Sequence, residues 1–377
     1  MFNTLKNAWR IPDLRKKLLY TLLIIIAFRF GSVVPVPFLN VSALNTLMAS
    51  ANETALGYIN MLTGGAFANA TLFAMGITPY INSSIIIQLL TVAIPALERM
   101  AKEGEEGRKK IAAITRYTTV GLGLIQGTAY YFYLRNNKIT LYNEGFSAVF
   151  TAIIIVLTFT AGTALIMWMG EQIDQFGIGN GISLLIMAGI VSNMFNWGRQ
   201  AAVGMVAGTV HPIAVIVIVL ALLAMIVAIT FVDMGERRIP IQYAKRVVGR
   251  KMYGGQSTYI PMKINSTGVM PLIFGFAILQ FPATIFAFFP TSGINVWWQG
   301  FQSGIWYQIV LAVLIIAFTY FYTSITFNPV DISKNMQQNG GIIPGIRQGR
   351  ATSDYLSRVS GRLTLFSALF LAVLATI

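Results

Sequence analysis

Few residues of this chain are of the types that catalyse reactions or bind metal ions. It has no cysteine and a single histidine, His211, which stands beside Pro212 in a predicted loop. Thiol chemistry and thiolate metal sites are therefore excluded. The sequence offers no Ser-His-Asp set and no pair of carboxylates facing each other within an apolar segment. We predict that the chain is not an enzyme and has no cofactor and no metal site.

One glycine-rich segment has a spacing loosely similar to that of a phosphate-binding loop. It reads Gly177-Ile-Gly-Asn-Gly181, but no lysine follows it and no strand of a soluble domain precedes it. A phosphate loop uses backbone amides to cradle the phosphates and a lysine to reach them. We instead predict a tight turn in which Asn180 caps the next helix.

Ionisable residues are almost absent from the middles of the apolar segments. Arg29 lies within the first segment, where its long side chain is expected to reach toward the membrane surface. Carriers coupled to protons or ions usually contain several buried charges, which argues against that class. The polar residues that do enter the segments are neutral, and they serve either interhelical hydrogen bonds or a seam that opens between helices. They include Gln88, Gln126 and Asn265.

The composition indicates what must position these residues. Of the 377 residues, 55% are hydrophobic and only 11% are charged, whereas soluble domains carry about 25% charged residues. Apolar segments near the roughly 20 residues that a bilayer requires recur along the chain. We predict nine transmembrane helices, the ninth continuing past the end of the chain, at residues 18–37, 75–97, 112–134, 148–170, 181–197, 213–233, 266–289, 305–327 and 361–377.

The positive charges lie almost entirely on one side of these spans. If the amino terminus is cytoplasmic and the loops alternate, four cytoplasmic segments hold 23 of the 27 lysines and arginines. These segments are the basic amphipathic residues 1–17, residues 98–116, and the two long loops 234–265 and 328–362. Because lysine and arginine favour the cytoplasmic side, we predict a multi-pass membrane protein with its amino terminus in the cytoplasm.

Three segments break the pattern of spans and short turns. Residues 57–67 form an apolar piece with Gly64-Gly65 that is too short to span, so it is either re-entrant or an ordinary external loop helix. The two long cytoplasmic loops contain Tyr, Ile, Pro and Gly, which indicates ordered binding loops.

Ile81 and Ile85 share one helix face, a pattern common in packed helices and only rarely the mark of a hydrophobic gate.

Several longer motifs resemble those of the bacterial SecY family, and they occur in the order of that family. The second helix of the family is similar to GITPYINSSIIIQLL, and the start of its fifth helix to GIGNGISLLI. Its connection between helices six and seven resembles RRIPIQYAKR, QSTYIPMKIN and GVMPLIF. Its connection between helices eight and nine resembles NPVDISKNMQQNGGIIPGIR, which is followed by RLTL. The resemblance covers essentially the whole chain, from which the family's tenth helix is absent.

The resemblance implies an all-α polytopic membrane fold made of two pseudo-symmetric halves. Helices 1–5, in residues 1–197, would form one half. Helices 6–10, the last of them missing here, would form the other half in residues 198–377. The two halves would enclose a central hourglass pore.

The resemblance also implies roles for residues that pattern analysis leaves unassigned. Most of a hydrophobic pore ring would come from Ile81, Ile85, Ile186 and Ile273, and its remaining residue from the missing tenth helix. A plug at about residues 57–70 would include Ile59, Asn60, Met61, Leu62, Gly64, Gly65 and Phe67. A lateral gate would use Gln88, Gln126 and Asn265. Partners would dock on Arg246, Arg250 and Arg347.

The implied function is a passive protein-conducting channel of the general secretory pathway in the bacterial plasma membrane. Unfolded preproteins would cross through the pore, and signal or transmembrane segments would leave sideways into lipid. The implied partners are small SecE- and SecG-type membrane subunits, the ATP-hydrolysing SecA motor, the ribosome with its RNA, preprotein signal sequences and membrane lipid. The alternative is a secondary transporter for a small solute. In such a protein, prolines would break the helices that form the substrate site.

Overall fold

The structure, a computed structural model, describes residues 9–50, 60, 63–142, 144–209, 211–243, 246–248, 251–253, 257–287 and 293–376. By their internal contacts the residues form two compact units. The first unit is Met1–Thr209 with Pro282–Val296, and the second is Val210–Phe281 with Trp297–Ile377. The predicted pseudo-symmetric halves, with their boundary after residue 197, stay a prediction.

The first unit is helical over most of its described length. Two helices, α5 and α6, are 32 residues each and pack along one another, because Gly127 of α5 lets the backbones approach. A Cβ at Gly127 would lie 3.5 Å from the Cβ of Phe159. The helices are α1 Pro12–Gly31, α2 Val41–Ser50, α3 Thr78–Ala93, α4 Pro95–Lys102, α5 Glu105–Asn136, α6 Gly145–Phe176 and α7 Gly181–Val206.

The first helix does not lie where hydropathy predicted it. The prediction of a span at 18–37 is wrong at both ends, because α1 covers Pro12–Gly31. Proline suits the first turn of a helix, where its missing N–H would have no partner in any case. Pro35 and Pro37 follow the end of α1 and cannot continue it. The basic residues before the apolar stretch are therefore part of the helix.

The second predicted span, 75–97, is not one straight helix. The axes of α3 and α4 differ by 100° at the break between them. Ile94 takes the extended conformation, with φ −108° and ψ 113°, because the ring of Pro95 disfavours the helical region for the residue before it. The 16 residues of α3 rise about 24 Å, which is less than the roughly 30 Å thickness of a bilayer core.

The second unit contains the most apolar helix of the chain. An 18-residue stretch of α8 has a mean hydropathy of 3.3, and none of it is buried within the structure. The helix α13 begins at Arg350, well before the predicted span at 361–377, because its first turns are polar and hydropathy does not reveal them. The helices are α8 Pro212–Met234, α9 Met270–Ala287, α11 Ile305–Thr326, α12 Pro329–Gln338 and α13 Arg350–Thr376. From Pro282 onward, the residues of α9 belong to the first unit. A further helix, α10, covers Gly293–Gln302.

Among the described helices, five are long and apolar enough to cross a membrane, and six if the bent pair α3–α4 counts as one span. The other predicted spans are helices that fall short of that length or apolarity. An apolar helix that the protein leaves uncovered requires a lipid environment or an apolar partner. The chain is therefore a multi-pass membrane protein of the predicted helical class.

The two predicted loops 234–265 and 328–362 together form a small antiparallel sheet. Strand β1 (Glu236–Tyr243) pairs along its length with β4 (Ser257–Lys263) and at its end with β5 (Gly341–Ile342). The short strands β2 (Arg246–Val248) and β3 (Lys251–Tyr253) pair with each other. The sequence did not predict strands here. Buried side chains from both loops and from α13 form one core, with Ile239, Ile241, Met262, Met336, Ile343 and Leu356.

Candidate functional site

Three of the four predicted ring isoleucines lie in the first unit. Ile81 and Ile85 are on α3, and Ile186 is on α7. Ile81 and Ile186 pack against one buried cluster, which includes Phe28, Phe73, Ile166 and Leu185. Ile85 is 4% exposed. The fourth isoleucine, Ile273, is half-buried on α9 of the second unit. The structure therefore places Ile81 and Ile186 on one cluster, and a ring of all four stays a prediction.

The predicted plug is described only in part, because Ile59, Met61 and Leu62 lie outside the described residues. Residues 63–71 are named the plug turn from here on: residues 63–70 form consecutive turns, and Thr71 forms a bridge with Pro35. The alternative of an external loop helix is therefore wrong for these residues, and the re-entrant alternative stays a prediction. Asn60 organises the turn locally. Its carbonyl accepts a hydrogen bond of 2.9 Å from the amide of Gly65, and its Oδ1 accepts one of 2.9 Å from the amide of Ala68.

Phe67 anchors the plug turn in the first unit. Its side chain is 3% exposed, and its ring stacks on the ring of Tyr130 of α5 with centroids 4.4 Å apart. The hydroxyl of Tyr130 donates a hydrogen bond of 2.8 Å to the carbonyl of Phe67. The end of the turn pairs with the chain after α1, where the amide of Val36 donates to the carbonyl of Ala70 over 3.0 Å.

Gly64 brings the backbone of the plug turn against α1 and α7. Its φ is +67°, in the left-handed region that favours glycine. A Cβ on Gly64 would lie 2.7 Å from Nη1 of Arg29, 2.7 Å from Oγ of Ser192 and 2.8 Å from the carbonyl oxygen of Gly189. Nη1 of Arg29 is buried without a hydrogen-bond partner among the described residues, although the residue as a whole is half-buried. The expectation that its side chain reaches toward the membrane surface stays a prediction.

The two glutamines predicted at the gate are half-buried in the first unit. Gln88 of α3 donates a hydrogen bond of 3.4 Å to Ser84 of the same helix, and Gln126 lies on α5. The polar bond between these helices is made elsewhere, where Oγ of Ser83 donates to the carbonyl of Thr115 over 2.8 Å. The role of both glutamines at a gate stays a prediction.

Asn265 is the centre of a polar network in the second unit. Its Nδ2 donates a hydrogen bond of 2.9 Å to Oδ1 of Asp233 at the end of α8. Its Oδ1 accepts one of 3.1 Å from Ser367 of α13 and one of 3.4 Å from Thr267. Sequence reasoning named Asn265 but missed Ser367, because 102 residues separate the two. The network joins α8, α13 and the segment before α9.

The structure describes the three predicted docking arginines to different extents. Arg250 lies outside the described residues. The backbone of Arg246 pairs with Tyr253 in the short hairpin, and its side chain is not described. Arg347 is exposed at the turn before α13, and its carbonyl accepts a hydrogen bond of 2.8 Å from Thr352.

The sheet contributes an arginine that the sequence did not single out. Nε of Arg238 lies 2.6 Å from a carboxylate oxygen of Glu236, and its guanidinium carbon lies 4.9 Å from the centre of the Tyr259 ring. The hydrogen bond to Glu236 is the main cause that raises the pKa of Arg238. Side chains of both β1 and β4 therefore contact this exposed cation.

The glycine-rich segment 177–181 is a helix cap, as predicted. Oδ1 of Asn180 accepts a hydrogen bond of 2.9 Å from the amide of Ser183 at the start of α7. Oδ1 of Asp174 accepts one of 2.7 Å from the amide of Gly181. Both amides belong to the first turn of the helix, where they would otherwise be unsatisfied.

These features define a polytopic helical membrane protein with a buried turn ahead of α3 and a sheet that joins two loops. The sequence model of the SecY family matches residues 71–377. The chain belongs to the SecY family.

Relatives of known name agree with this assignment over the whole chain. The chain is 43% identical over 391 residues to the protein translocase subunit SecY of Halalkalibacterium halodurans, covering 100% of this chain and 88% of that protein. It is 41% identical over 401 residues to the subunit of the same name from Streptomyces scabiei, covering 100% of this chain and 89% of the relative. The alignments therefore span residues 63–71, most of which precede the family match.

Solved structures share the fold at lower identity. One, described as the structure of a protein conducting channel, has a TM-score of 0.66 and 17% identity, and covers 96% of this chain and 85% of its own. Another concerns the plug domain of the SecY protein in the closed state of the translocation channel, with a TM-score of 0.64, 18% identity, and coverage of 96% and 86%. At these identities the similarity establishes the fold.

Proposed function

We propose that this chain is the pore subunit of a protein-conducting channel in the bacterial plasma membrane, with its amino terminus in the cytoplasm. The observation that carries the proposal is the match of the entire chain, at 41% to 43% identity, to subunits named protein translocase subunit SecY. The charge-poor spans support a channel over an ion-coupled carrier, because coupling requires charges within the membrane.

A ring of isoleucines suits such a channel for two physical reasons. A narrow apolar neck dewets, so that it blocks ions without a charged filter. Branched apolar side chains form no hydrogen bonds with the chain in transit, so they widen around any sequence. The packing of Ile81 and Ile186 on one buried cluster supports their assignment to the same ring, together with Ile85 and Ile273.

We assign the second barrier to the plug, including the plug turn, and the exit for signal segments to a lateral gate. An apolar signal segment would move sideways into lipid because burial of its apolar surface is favourable. Gln88, Gln126 and Asn265 are the proposed polar seam of that gate. The hydrogen bonds of Asn265 to Asp233 and Ser367 would then set the position of one edge of the seam.

The docking of partners is assigned to the sheet and its loops, through Arg246, Arg250 and Arg347. Solved relatives of the fold include Sec61 in a canine ribosome–channel complex, with a TM-score of 0.60, and this supports the ribosome as one partner. SecA would supply the energy by ATP hydrolysis, while SecE- and SecG-type subunits would contact the exposed apolar helices. The pairing of β1 with β5 would make both loops one surface.

The pore assignment is tested by crosslinking, because the chain has no native cysteine. Cysteine is introduced singly at Ile85, Ile186 and Ile273, and at Val217 of α8, which is 57% exposed, as the control. A secretory protein is stalled in transit through the assembled complex. We expect crosslinks to the three isoleucine positions and none to position 217. Crosslinks only at position 217 would contradict the pore.

The docking assignment is tested by charge reversal. Arg347→Glu is expected to weaken binding of SecA or ribosomes roughly tenfold, more so at low salt, because rim charges act through long-range attraction. Arg199→Glu makes the same charge change on the predicted external side and is the control. Equal binding by both variants would place docking elsewhere.

Solute uptake by the chain reconstituted without a motor would favour the secondary transporter instead.

A further inference from the structure

A charged group without a partner stands against the plug turn. Nη1 of Arg29 is buried, and no hydrogen-bond partner for it exists among the described residues. Three polar atoms lie close to Gly64. They are Nη1 of Arg29 and two atoms of α7, Oγ of Ser192 and the carbonyl oxygen of Gly189. All of these residues belong to the first unit, so the arrangement is internal to one compact body.

The two polar atoms of α7 form a hydrogen bond with each other and none with Nη1 of Arg29. The hydroxyl of Ser192 donates a hydrogen bond of 2.6 Å to the carbonyl of Gly189. A guanidinium donates but cannot accept, and it stays protonated in proteins. A buried donor that forms no hydrogen bond destabilises the state in which it is buried, and a charged donor does so more strongly than a neutral one.

Other contacts of the plug turn act in the opposite direction. The ring of Phe67 stacks on Tyr130, and the hydroxyl of Tyr130 bonds the carbonyl of Phe67. These contacts stabilise the seated turn, whereas the covered nitrogen of Arg29 raises its free energy. The seat therefore combines an apolar anchor at Phe67 with an unfavourable contact at Gly64.

We propose that Arg29 is a positioning residue that keeps the plug turn weakly seated, so that a modest stimulus opens the channel. The proposal rests on the assignment of residues 57–70 as a plug. When the turn leaves, the backbone at Gly64 no longer covers Nη1, and water gains access to the guanidinium. Opening then recovers the hydration that seating removes. A signal segment then needs a smaller difference in affinity between the open and the closed state to shift the population toward the open state.

The test measures how much signal peptide opens the channel. The complex, purified with its own small membrane subunits, is reconstituted into vesicles, and ion flux is recorded against the concentration of a synthetic signal peptide. Arg29→Met removes the charge at similar length, Arg29→Gln removes the charge but keeps a donor, and Arg29→Lys keeps the charge. Arg99→Met, at an exposed position of α4, is the matched control.

We expect Arg29→Met to need about tenfold more peptide for half-maximal flux. Arg29→Gln should need an intermediate amount, and Arg29→Lys and Arg99→Met should match the parent. The Met variant should also unfold at a higher temperature than the parent, because it no longer buries Nη1 without a hydrogen-bond partner.

Several results would overturn the proposal. Increased flux without peptide in Arg29→Met would mean that Arg29 holds the turn in place. An unchanged threshold, or a threshold in Arg29→Lys equal to that of the Met variant, would mean that the charge does not act on seating. Failure of both neutral variants to assemble while Arg29→Lys assembles would mean that the charge is needed for folding.

The crosslinking experiment at the isoleucines separates this inference from the proposed function. If stalled chains do not reach Ile85, Ile186 or Ile273, the channel itself is wrong and Arg29 has no plug to act on. If they do reach these positions and the peptide threshold of Arg29→Met is unchanged, only the role of Arg29 is wrong.

Discussion

The segments that precede α3 and α9 lead into the two helices that carry Ile81 and Ile273, yet they are held in different ways. Ahead of α3, the plug turn is anchored chiefly by the buried ring of Phe67 on Tyr130, with two hydrogen bonds to its backbone carbonyls. Ahead of α9, the chain is anchored by a network of side-chain hydrogen bonds centred on Asn265. The first unit therefore holds the segment before α3 chiefly by an apolar contact, whereas the second unit holds the segment before α9 by a polar network.

The difference between these two anchors concerns how they respond to motion. An apolar contact tolerates small shifts, because dispersion and burial do not depend on orientation. A polar network loses much of its energy when any member shifts, because each group then remains unsatisfied. We therefore expect the segment before α3 to be the one that moves during opening, and the segment before α9 to keep its position.

The largest expected effect is at Phe67. Phe67→Ala removes a side chain that is 3% exposed and leaves a cavity, which costs about 3 kcal/mol or more of stability. We expect a clear fall in the melting temperature of the purified complex and increased ion flux without signal peptide. Phe146→Ala, at a position 85% exposed, is the control. Normal stability and an intact seal in Phe67→Ala would show that the aromatic ring is not the anchor.

The next effect is at Asn265. Asn265→Leu leaves the carboxylate of Asp233 and the hydroxyl of Ser367 without their partner, at a cost of about 2 kcal/mol. The melting temperature should fall while the ion seal of the resting channel is kept, because the segment before α9 is not the plug. Asn136→Leu, at an exposed position of α5, should leave both properties unchanged. A leaking but stable Asn265→Leu would reverse the comparison between the two segments.

A smaller effect separates the ring of Tyr130 from its hydroxyl. Tyr130→Phe keeps the stack on Phe67 and removes the hydrogen bond to the carbonyl of Phe67, at a cost of about 1 kcal/mol. Ion flux without peptide should rise less than in Phe67→Ala. Tyr142→Phe, on a side chain 49% exposed, serves as the control. A flux equal to that of Phe67→Ala would mean that the hydrogen bond, and not the ring, seats the turn.

The smallest effect is expected at the sheet. Arg238→Ala removes an exposed ion pair with Glu236 and the contact with Tyr259. Exposed pairs contribute little to stability because water screens them, so the melting temperature should not change measurably. Binding of a partner is the property to measure, with Arg199→Ala as the control. A marked loss of thermal stability would show that the cation is part of the sheet's core.

Hydropathy predicted the helices that are apolar throughout, such as α8 between Pro212 and Met234. It misplaced helix ends wherever polar turns continue a helix, as at Arg350, or where proline stops one, as at Gly31. The break at Ile94 was visible in principle, because Pro95 restricts the residue before it. The pairing of β1 with β5 was not visible, since a two-residue strand carries no periodic signal.

The candidate site followed from resemblance more than from the residues themselves. Ile81 and Ile186 are chemically ordinary, and only the tertiary fold places them on one cluster. Arg29 was visible as an intramembrane charge, but the sequence could not show that Gly64 covers it, because that contact joins elements far apart in the chain. The partners of Asn265 were hidden for the same reason.

The pairing of Gln242 and Tyr243 with Ile342 and Gly341 has a consequence for biosynthesis. The hairpin of β1 and β4 can form soon after residue 263 leaves the ribosome, whereas the third strand has to wait until four further helices, α9 to α12, have been made. During that interval the free edge of β1 has no pairing partner from its own chain. The sheet is therefore completed late, and a nascent chain whose later helices have not yet been synthesised lacks the third strand of this surface.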